Sequence, residues 1–358
     1  MRPDISETDI RYLDGAAPVA ARGALSNAAG RYEWHKRDAV LPDALRTEVR
    51  EECLKRAITT NDSPDLGFER SVNPYRGCEH GCIYCYARPT HAFLGLSPGL
   101  DFETRLIARP NAPDALAREL GARGYVPKVI ALGTNTDPYQ PIERDRKIMR
   151  RLLEVLCDHR HPVAITTKGT LVERDVDILA EMGPELCRVG LSVTTLDADL
   201  ARRLEPRVPA PARRLKAIER LARAGVTVRV MVSPVIPGLT DHEVEAILAA
   251  ARDAGAEAAS MIPLRLPLEV APLFEEWLRA HVPDRARKVL GRVREFHGDK
   301  LYDAGFGRRM RGTGVHAHLL QARFERARKA MGLALRLPPL RTDLFRVPAR
   351  PGDQLALF

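Results

Sequence analysis

Six short runs rich in β-branched and other apolar residues alternate with helical stretches over the middle of this chain, at 68–72, 128–132, 163–167, 188–193, 226–232 and 258–262. Between them, stretches such as 144–159 and 212–224 repeat their apolar residues at helical intervals. Strands that alternate with helices predict parallel βα units built into an α/β fold. Gly124, Gly225 and Gly255 fall just past helical patterns, where a left-handed terminal residue is wanted. Periodicity alone permits either a barrel or a doubly wound sheet. Outside this core, residues 1–66 read as an N-terminal extension, with a helix expected near 43–58. Residues 67–270 hold the repeating units, 271–335 a basic helical region, and 336–358 a flexible tail rich in Pro and Arg.

The loop after the first run carries the densest chemistry: Asn73-Pro-Tyr-Arg-Gly-Cys-Glu-His-Gly-Cys-Ile-Tyr-Cys-Tyr86. Cys78, Cys82 and Cys85 offer three thiolates from one short segment, one fewer than a closed four-iron cluster needs. A 4Fe–4S cluster held this way keeps one iron open to another ligand. Gly77 and Gly81 permit the tight backbone such a loop requires. A structural zinc site with His80 or His91 as fourth ligand is the alternative, although zinc ligands usually come as two separated pairs. Cys53, Cys157 and Cys187 are scattered and supply no second pair. An odd cluster of thiols without a secretory segment also argues against disulfides and for a cytoplasmic, reducing compartment.

The chain's net charge is +9, and 14 Lys and Arg stand against 5 Asp and Glu between Arg279 and Lys329, so that segment alone accounts for the excess. Concentrated positive charge suits a polyanionic partner such as DNA or RNA; a solvated arginine-rich helical face is the bland alternative. No apolar run approaches bilayer length, so no membrane association is expected.

The C-x3-C-x2-C spacing, with Tyr84 just before the third cysteine, closely resembles the radical S-adenosylmethionine (SAM) superfamily. Within it the chain looks like a bacterial branch related to spore photoproduct lyase, from about Arg22 to Arg265. Besides the cysteine loop, Ala87-Arg-Pro-Thr-His91 and Leu96-Ser-Pro-Gly-Leu-Asp-Phe-Glu-Thr104 carry that likeness. So does Gly133-Thr-Asn-Thr-Asp-Pro-Tyr-Gln-Pro-Ile-Glu143. The resemblance implies a partial (β/α)6 barrel, with its chemistry at the carboxyl ends of the strands. It implies a 4Fe–4S cluster and SAM, reductively cleaved to a 5′-deoxyadenosyl radical with an electron from a flavodoxin or ferredoxin. Many members place Gly-Gly-Glu after strand two to hold the SAM amino group; this chain offers Gly133, Thr134, Thr136 and Asp137. Lys168 in Thr166-Thr-Lys-Gly169 and Ser192 in Gly190-Leu-Ser-Val-Thr-Thr195 match positions that contact the SAM carboxylate and ribose. Ser233-Pro-Val-Ile-Pro-Gly-Leu-Thr-Asp241 matches the segment lining the adenine. Cys157 and Cys187 are the available thiol hydrogen relays, each with an ordinary core cysteine as the favoured alternative, and Tyr86, Tyr139 and Tyr302 are further, unranked relays.

The terminal Gly352-Asp-Gln-Leu-Ala-Leu-Phe358 resembles the peptide by which bacterial repair proteins dock on the DNA sliding clamp. In that reading Leu355, Leu357 and Phe358 enter an apolar groove while Gln354 makes amide hydrogen bonds. The leading expectation is therefore a radical SAM enzyme acting on nucleic acid, in DNA repair or base modification, with lyase-type chemistry. Its rivals are the same chemistry on RNA, a peptide or a small molecule, and a non-enzymatic metal-binding adaptor of the clamp.

Overall fold

The computed structural model describes residues 19–32 and 45–348. Six strands form its centre: β1 (Arg70–Val72), β2 (Ile130–Leu132), β3 (Val163–Thr167), β4 (Cys187–Ser192), β5 (Val228–Val235) and β6 (Ala258–Pro263). They lie side by side in chain order, and every neighbouring pair is parallel. A doubly wound sheet would reverse its strand order at a switch point. No reversal occurs, so the units wind in one direction as in a barrel, left open between β1 and β6. Thr59–Thr60 adds a short antiparallel pairing outside β1.

The helices α1 (Ala112–Leu120), α2 (Ile148–Asp158), α3 (Val176–Leu186), α4 (Pro211–Arg223) and α5 (Val244–Asp253) separate the strands from β1 onward. Their apolar faces close on the sheet: Leu152, Leu156, Ile218, Leu221 and Ile247 share one core with Ile130, Ile165, Val189 and Val230. Each such buried side chain contributes about 1.5–3 kcal/mol relative to exposure. Gly225 and Gly255, just past α4 and α5, adopt φ of 80° and 96°. These left-handed residues end each helix and return the chain to the next strand.

A second core joins the cysteine loop to the C-terminal helices α6 (Val270–His281) and α7 (Pro283–Phe296), whereas α8 (Gly314–Ala330) packs through Leu320 and Phe324 on the first core. In the second core Cys82, Ile83 and Tyr84 pack with Leu200, Leu204, Phe274, Trp277 and Val289. Trp277 Nε1 donates to Arg203 O at 3.0 Å, tying α6 to the segment after β4.

The N-terminal region differs from expectation. No helix forms over the described part of 43–58; Glu48–Glu51 is instead a strand parallel to Arg105–Ala108, which also pairs with Tyr75–Arg76. Glu-Val-Arg-Glu favours helix locally, but an exposed strand edge supplies backbone partners, and tertiary context overrides propensity. Residues 19–32 are not loose either. Val19, Ala24 and Leu25 are buried, and a Cβ on Gly23 would lie 1.8 Å from Gly81 O. The tail is held as far as Phe345, whose ring packs among Tyr125, His159 and His161.

Candidate active site

The cysteine loop leaves the carboxyl end of β1, turns through Gly77 and Gly81, both with positive φ, and rests on the three-stranded side sheet. Cys78 N donates to Phe102 O at 2.8 Å and Cys85 N to Cys82 O at 3.2 Å. A side chain on Gly77 would collide with Leu106 at 2.6 Å, and one on Gly81 with Glu103 at 2.7 Å. Glycine is required at both turns.

Behind the loop lies Arg88, wholly shielded from solvent. Its Nε donates to Cys82 O at 3.0 Å, its Nη1 to Pro98 O and Gly99 O, and its Nη2 to Glu103 Oε1 at 2.5 Å. Glu103 in turn accepts from Gly23 N and Ala24 N, both at 2.9 Å. One buried ion pair therefore fastens the cysteine loop and the N-terminal segment together.

Cys78 and Cys85 pack together against Ala87 and Phe102, and Cys85 also borders the core that holds Cys82. Burial raises the pKa of all three thiols, and Cys78 is raised further by Asp137, Cys82 and Cys85. Acting the other way, the backbone N–H of Asp137 points at the Cys78 sulfur and that of Ala87 at the Cys85 sulfur. Hydrogen bonds to sulfur favour the thiolate a cluster needs. Among the described residues, no three His, Cys, Asp or Glu side chains converge on a single ion. His91 Nε2 donates to Arg105 O at 2.9 Å, and His80 Nδ1 lies 3.3 Å from Asp137 Oδ2. A mononuclear zinc site needs convergent ligands. A four-iron cluster takes one thiolate on each of three irons, so the donor set fits the cluster.

Around the cysteines, the residues expected to contact SAM fall into two connected groups. The first centres on Asp137. It accepts from Thr167 Oγ1 at 2.6 Å, Lys168 N at 2.7 Å and Tyr139 N at 2.9 Å. Burial alone would raise its pKa, but His80, Lys168 N and Thr167 outweigh this and hold it below the usual carboxylate value. The second group centres on Glu205. Its carboxylate accepts from Tyr84 Oη, from Thr194 Oγ1 at 2.7 Å and from Arg214 Nη2 at 2.7 Å. There too burial is overcome, chiefly by Arg214 and Lys168, and Glu205 stays ionised. Lys168 Nζ donates to Ser233 O at 3.2 Å and sits 5.7 Å from the Tyr84 ring centroid. Arg214 Nη1 reaches Ser192 O at 2.9 Å, bringing the end of β4 into the same network.

At the end of β2, Gly133 has φ of 85°, and a Cβ there would lie 2.0 Å from Thr166 O. Thr134 O accepts from Tyr86 Oη at 2.5 Å, whereas Thr136 Oγ1 donates to Tyr75 O at 2.9 Å and braces the cysteine loop. Cys187 opens β4, five residues before Ser192, hence roughly 17 Å along the strand from the carboxyl end. Cys157, in the last turn of α2, is close enough to Cys187 to raise its pKa. Both thiols thus occupy the end away from the cysteine loop. Tyr139 is buried against Asp175, to which its Oη donates at 3.1 Å. Gln354, Leu355, Leu357 and Phe358 lie outside the described residues. Sequence reasoning passed over Arg88, Glu103, Glu205 and Arg214. The first two stood inside quoted motifs as unexplained charges; the other two carried no local signal.

The Radical SAM superfamily family model matches residues 72–251, half of the chain, starting at the end of β1 and ending in α5. The chain belongs to the radical SAM superfamily. It is 37% identical over 249 residues to an uncharacterized protein of Mycobacterium tuberculosis, covering 68% of this chain and 72% of that one. An uncharacterized protein of Methanocaldococcus jannaschii is 29% identical over 190 residues, 53% of this chain and 69% of the relative. The fold is similar to a mutant spore photoproduct lyase solved with AdoMet and dinucleoside spore photoproduct. That match has a TM-score of 0.59 and 16% identity, covering 80% of each chain. The chain is thus a radical SAM enzyme, whose cofactors are a 4Fe–4S cluster and SAM. No helix among the described residues is long and apolar enough to cross a membrane.

Proposed function

We propose that this radical SAM enzyme acts on nucleic acid, on a DNA lesion or a modified base, with lyase-type chemistry. Cys78, Cys82 and Cys85 would hold the cluster, with Tyr84, Gly133, Thr134, Thr136, Asp137, Lys168 and Ser192 forming the surrounding SAM site. When bound, these cofactors supply a radical able to take hydrogen from an unactivated carbon, chemistry beyond any side chain. The protein's part is to fix the reactants and exclude water: the Asp137 and Glu205 networks would hold the walls, and α6 and α7 pack on the loop. A reductant such as flavodoxin or ferredoxin would deliver the electron.

The observation that carries the nucleic-acid reading is the placement of unpaired cations. Arg292, Arg323 and Arg328 on α7 and α8 have carboxylate partners. In contrast Arg285, Arg287, Lys288, Arg294, Arg311 and Arg326 are exposed and pair with no carboxylate among the described residues. Two α7 cations border the loop after β5: Lys288 and Arg292 come within 3.6 and 3.9 Å of where a Gly238 Cβ would stand. Similarity of fold to a protein solved with a dinucleoside photoproduct supports the same reading.

The test is fluorescence anisotropy with duplex DNA, tRNA and free nucleosides over a salt series. Binding to DNA that weakens steeply with salt is expected; DNA affinity no greater than that of a neutral protein would overturn the reading. Anaerobic incubation with SAM and a reductant should release 5′-deoxyadenosine. The motif of Gln354, Leu355, Leu357 and Phe358 would add docking on the sliding clamp, tested by clamp pull-down with and without those residues.

A further inference from the structure

The open side of the barrel is bridged by a contact between its first and last units. Arg265 lies two residues beyond β6, and its Cζ stands 5.0 Å from the ring centroid of Tyr86. Tyr86 directly follows Cys85 and donates to Thr134 O at the end of β2. The Arg265 guanidinium therefore sits where β1, β2 and β6 deliver their carboxyl ends. Apart from the ring, it has no hydrogen-bond or ion-pair partner among the described residues. Around it stand the phenol of Tyr302, the cation of Arg309 and one carboxylate, Asp65, and Asp65 is already taken. Its Oδ1 accepts from Gly307 N and its Oδ2 from Arg309 Nε, both at 2.7 Å.

A guanidinium carries five N–H donors in a planar fork suited to two oxygens at once. Here one face is stacked on a tyrosine and the donors are unclaimed. Tyr86 is 47% exposed and Arg265 half-buried beside it, so the pair reaches solvent on the tyrosine side. Stacking holds the fork in one orientation before a ligand arrives, which lowers the ordering cost of binding. The surface cations of α7 and α8 differ in kind: they are solvated and unstacked, and can attract a polyanion without reading where a single phosphate lies.

We propose that Arg265, held by Tyr86, is the subsite for the phosphate next to the nucleotide that enters the barrel. This rests on the nucleic-acid reading above and adds where the backbone is gripped. The cations of α7 and α8 gather the strand, whereas Arg265 sets its register against the cysteine loop.

The test uses the full-length, anaerobically reconstituted protein and three labelled probes. These are a short single-stranded oligonucleotide, a thymidine dinucleotide with its phosphodiester, and the same dinucleotide with an uncharged methylphosphonate. Arg265→Gln should weaken phosphodiester dinucleotide binding by about tenfold or more, the usual loss for a charged hydrogen bond. It should leave the methylphosphonate probe unchanged. Arg287→Gln on α7 should weaken only the oligonucleotide. Iron per chain and the thermal midpoint, equal to wild type, show that the variant is intact. If Arg265→Gln loads less iron, Arg265→Lys replaces it. A loss of about threefold is then expected, since an ammonium neither stacks nor forks, and no loss overturns the subsite. Equal loss on both dinucleotides, or none, overturns it as well. Wild-type protein that binds the oligonucleotide but neither dinucleotide overturns the subsite and leaves the nucleic-acid reading standing. Protein that binds no probe overturns both.

Discussion

Arg88 Nη2 lies 2.5 Å from Glu103 Oε1, and neither side chain reaches solvent. The pair stands behind the cysteine loop, with the remaining donors of Arg88 on the carbonyls of Gly81, Cys82, Pro98 and Gly99. Breaking one partner leaves a buried charge uncompensated, a change that costs about 3–5 kcal/mol. Arg88→Met should therefore lower the urea midpoint sharply. It should also lower the iron retained per chain after gel filtration, because the carbonyls that shape the loop lose their common anchor.

Removal of one cluster thiolate is expected to do more. Cys82→Ala should abolish the visible absorbance of the reconstituted protein and its SAM cleavage. Cys53→Ala, at an exposed and isolated thiol, should change neither. Iron and sulfide analysis under nitrogen separates the two outcomes.

The Glu205 network gives a graded series. Glu205→Ala strands the fully buried Arg214 without its carboxylate, and a loss of about 3–5 kcal/mol is expected. Tyr84→Phe removes one hydroxyl from the same carboxylate and should cost about 1 kcal/mol. Equal losses for the two variants in urea unfolding would show that Arg214 does not depend on Glu205.

Stability should fall with acid through His161. Its Nδ1 donates to Pro162 O at 3.0 Å and its Nε2 accepts from Tyr125 Oη at 2.8 Å, so the ring is held neutral. Burial, with lesser contributions from Arg70 and His159, lowers its pKa from 6.5 to about 4. Above pH 6.5 both folded and unfolded states carry a neutral ring, and the full stability is present. Between 6.5 and about 4 the unfolded chain takes up a proton that the folded one refuses. Within that window each further drop of one in pH costs about 1.4 kcal/mol. His161→Gln should flatten that part of the urea-midpoint profile.

The six core strands were legible because β-branched runs bounded by helical periodicity leave little choice. The run at 163–167 coincides with β3, and the others shift by up to three residues at their ends. The cysteine loop was legible because its spacing is local. What escaped was long-range. Glu48–Glu51 became a strand only because Arg105–Ala108 offered an edge. Glu205 reaches Tyr84 across 121 residues, and no pattern near Glu205 marks it as a partner of the cysteine loop. Cys157 and Cys187 looked available as hydrogen donors until strand direction set them at the opposite end.

Gly23 passes so close to Gly81 that no side chain fits between them. Anything delivered to the thiols from that side must first peel away the strap of residues 22–24, which Glu103 holds by two backbone amides. Maturation of the metallocentre and docking of this early segment are therefore coupled. Shortening the chain past Ala24 should leave a protein that loads iron faster and surrenders it more readily to oxygen or a chelator.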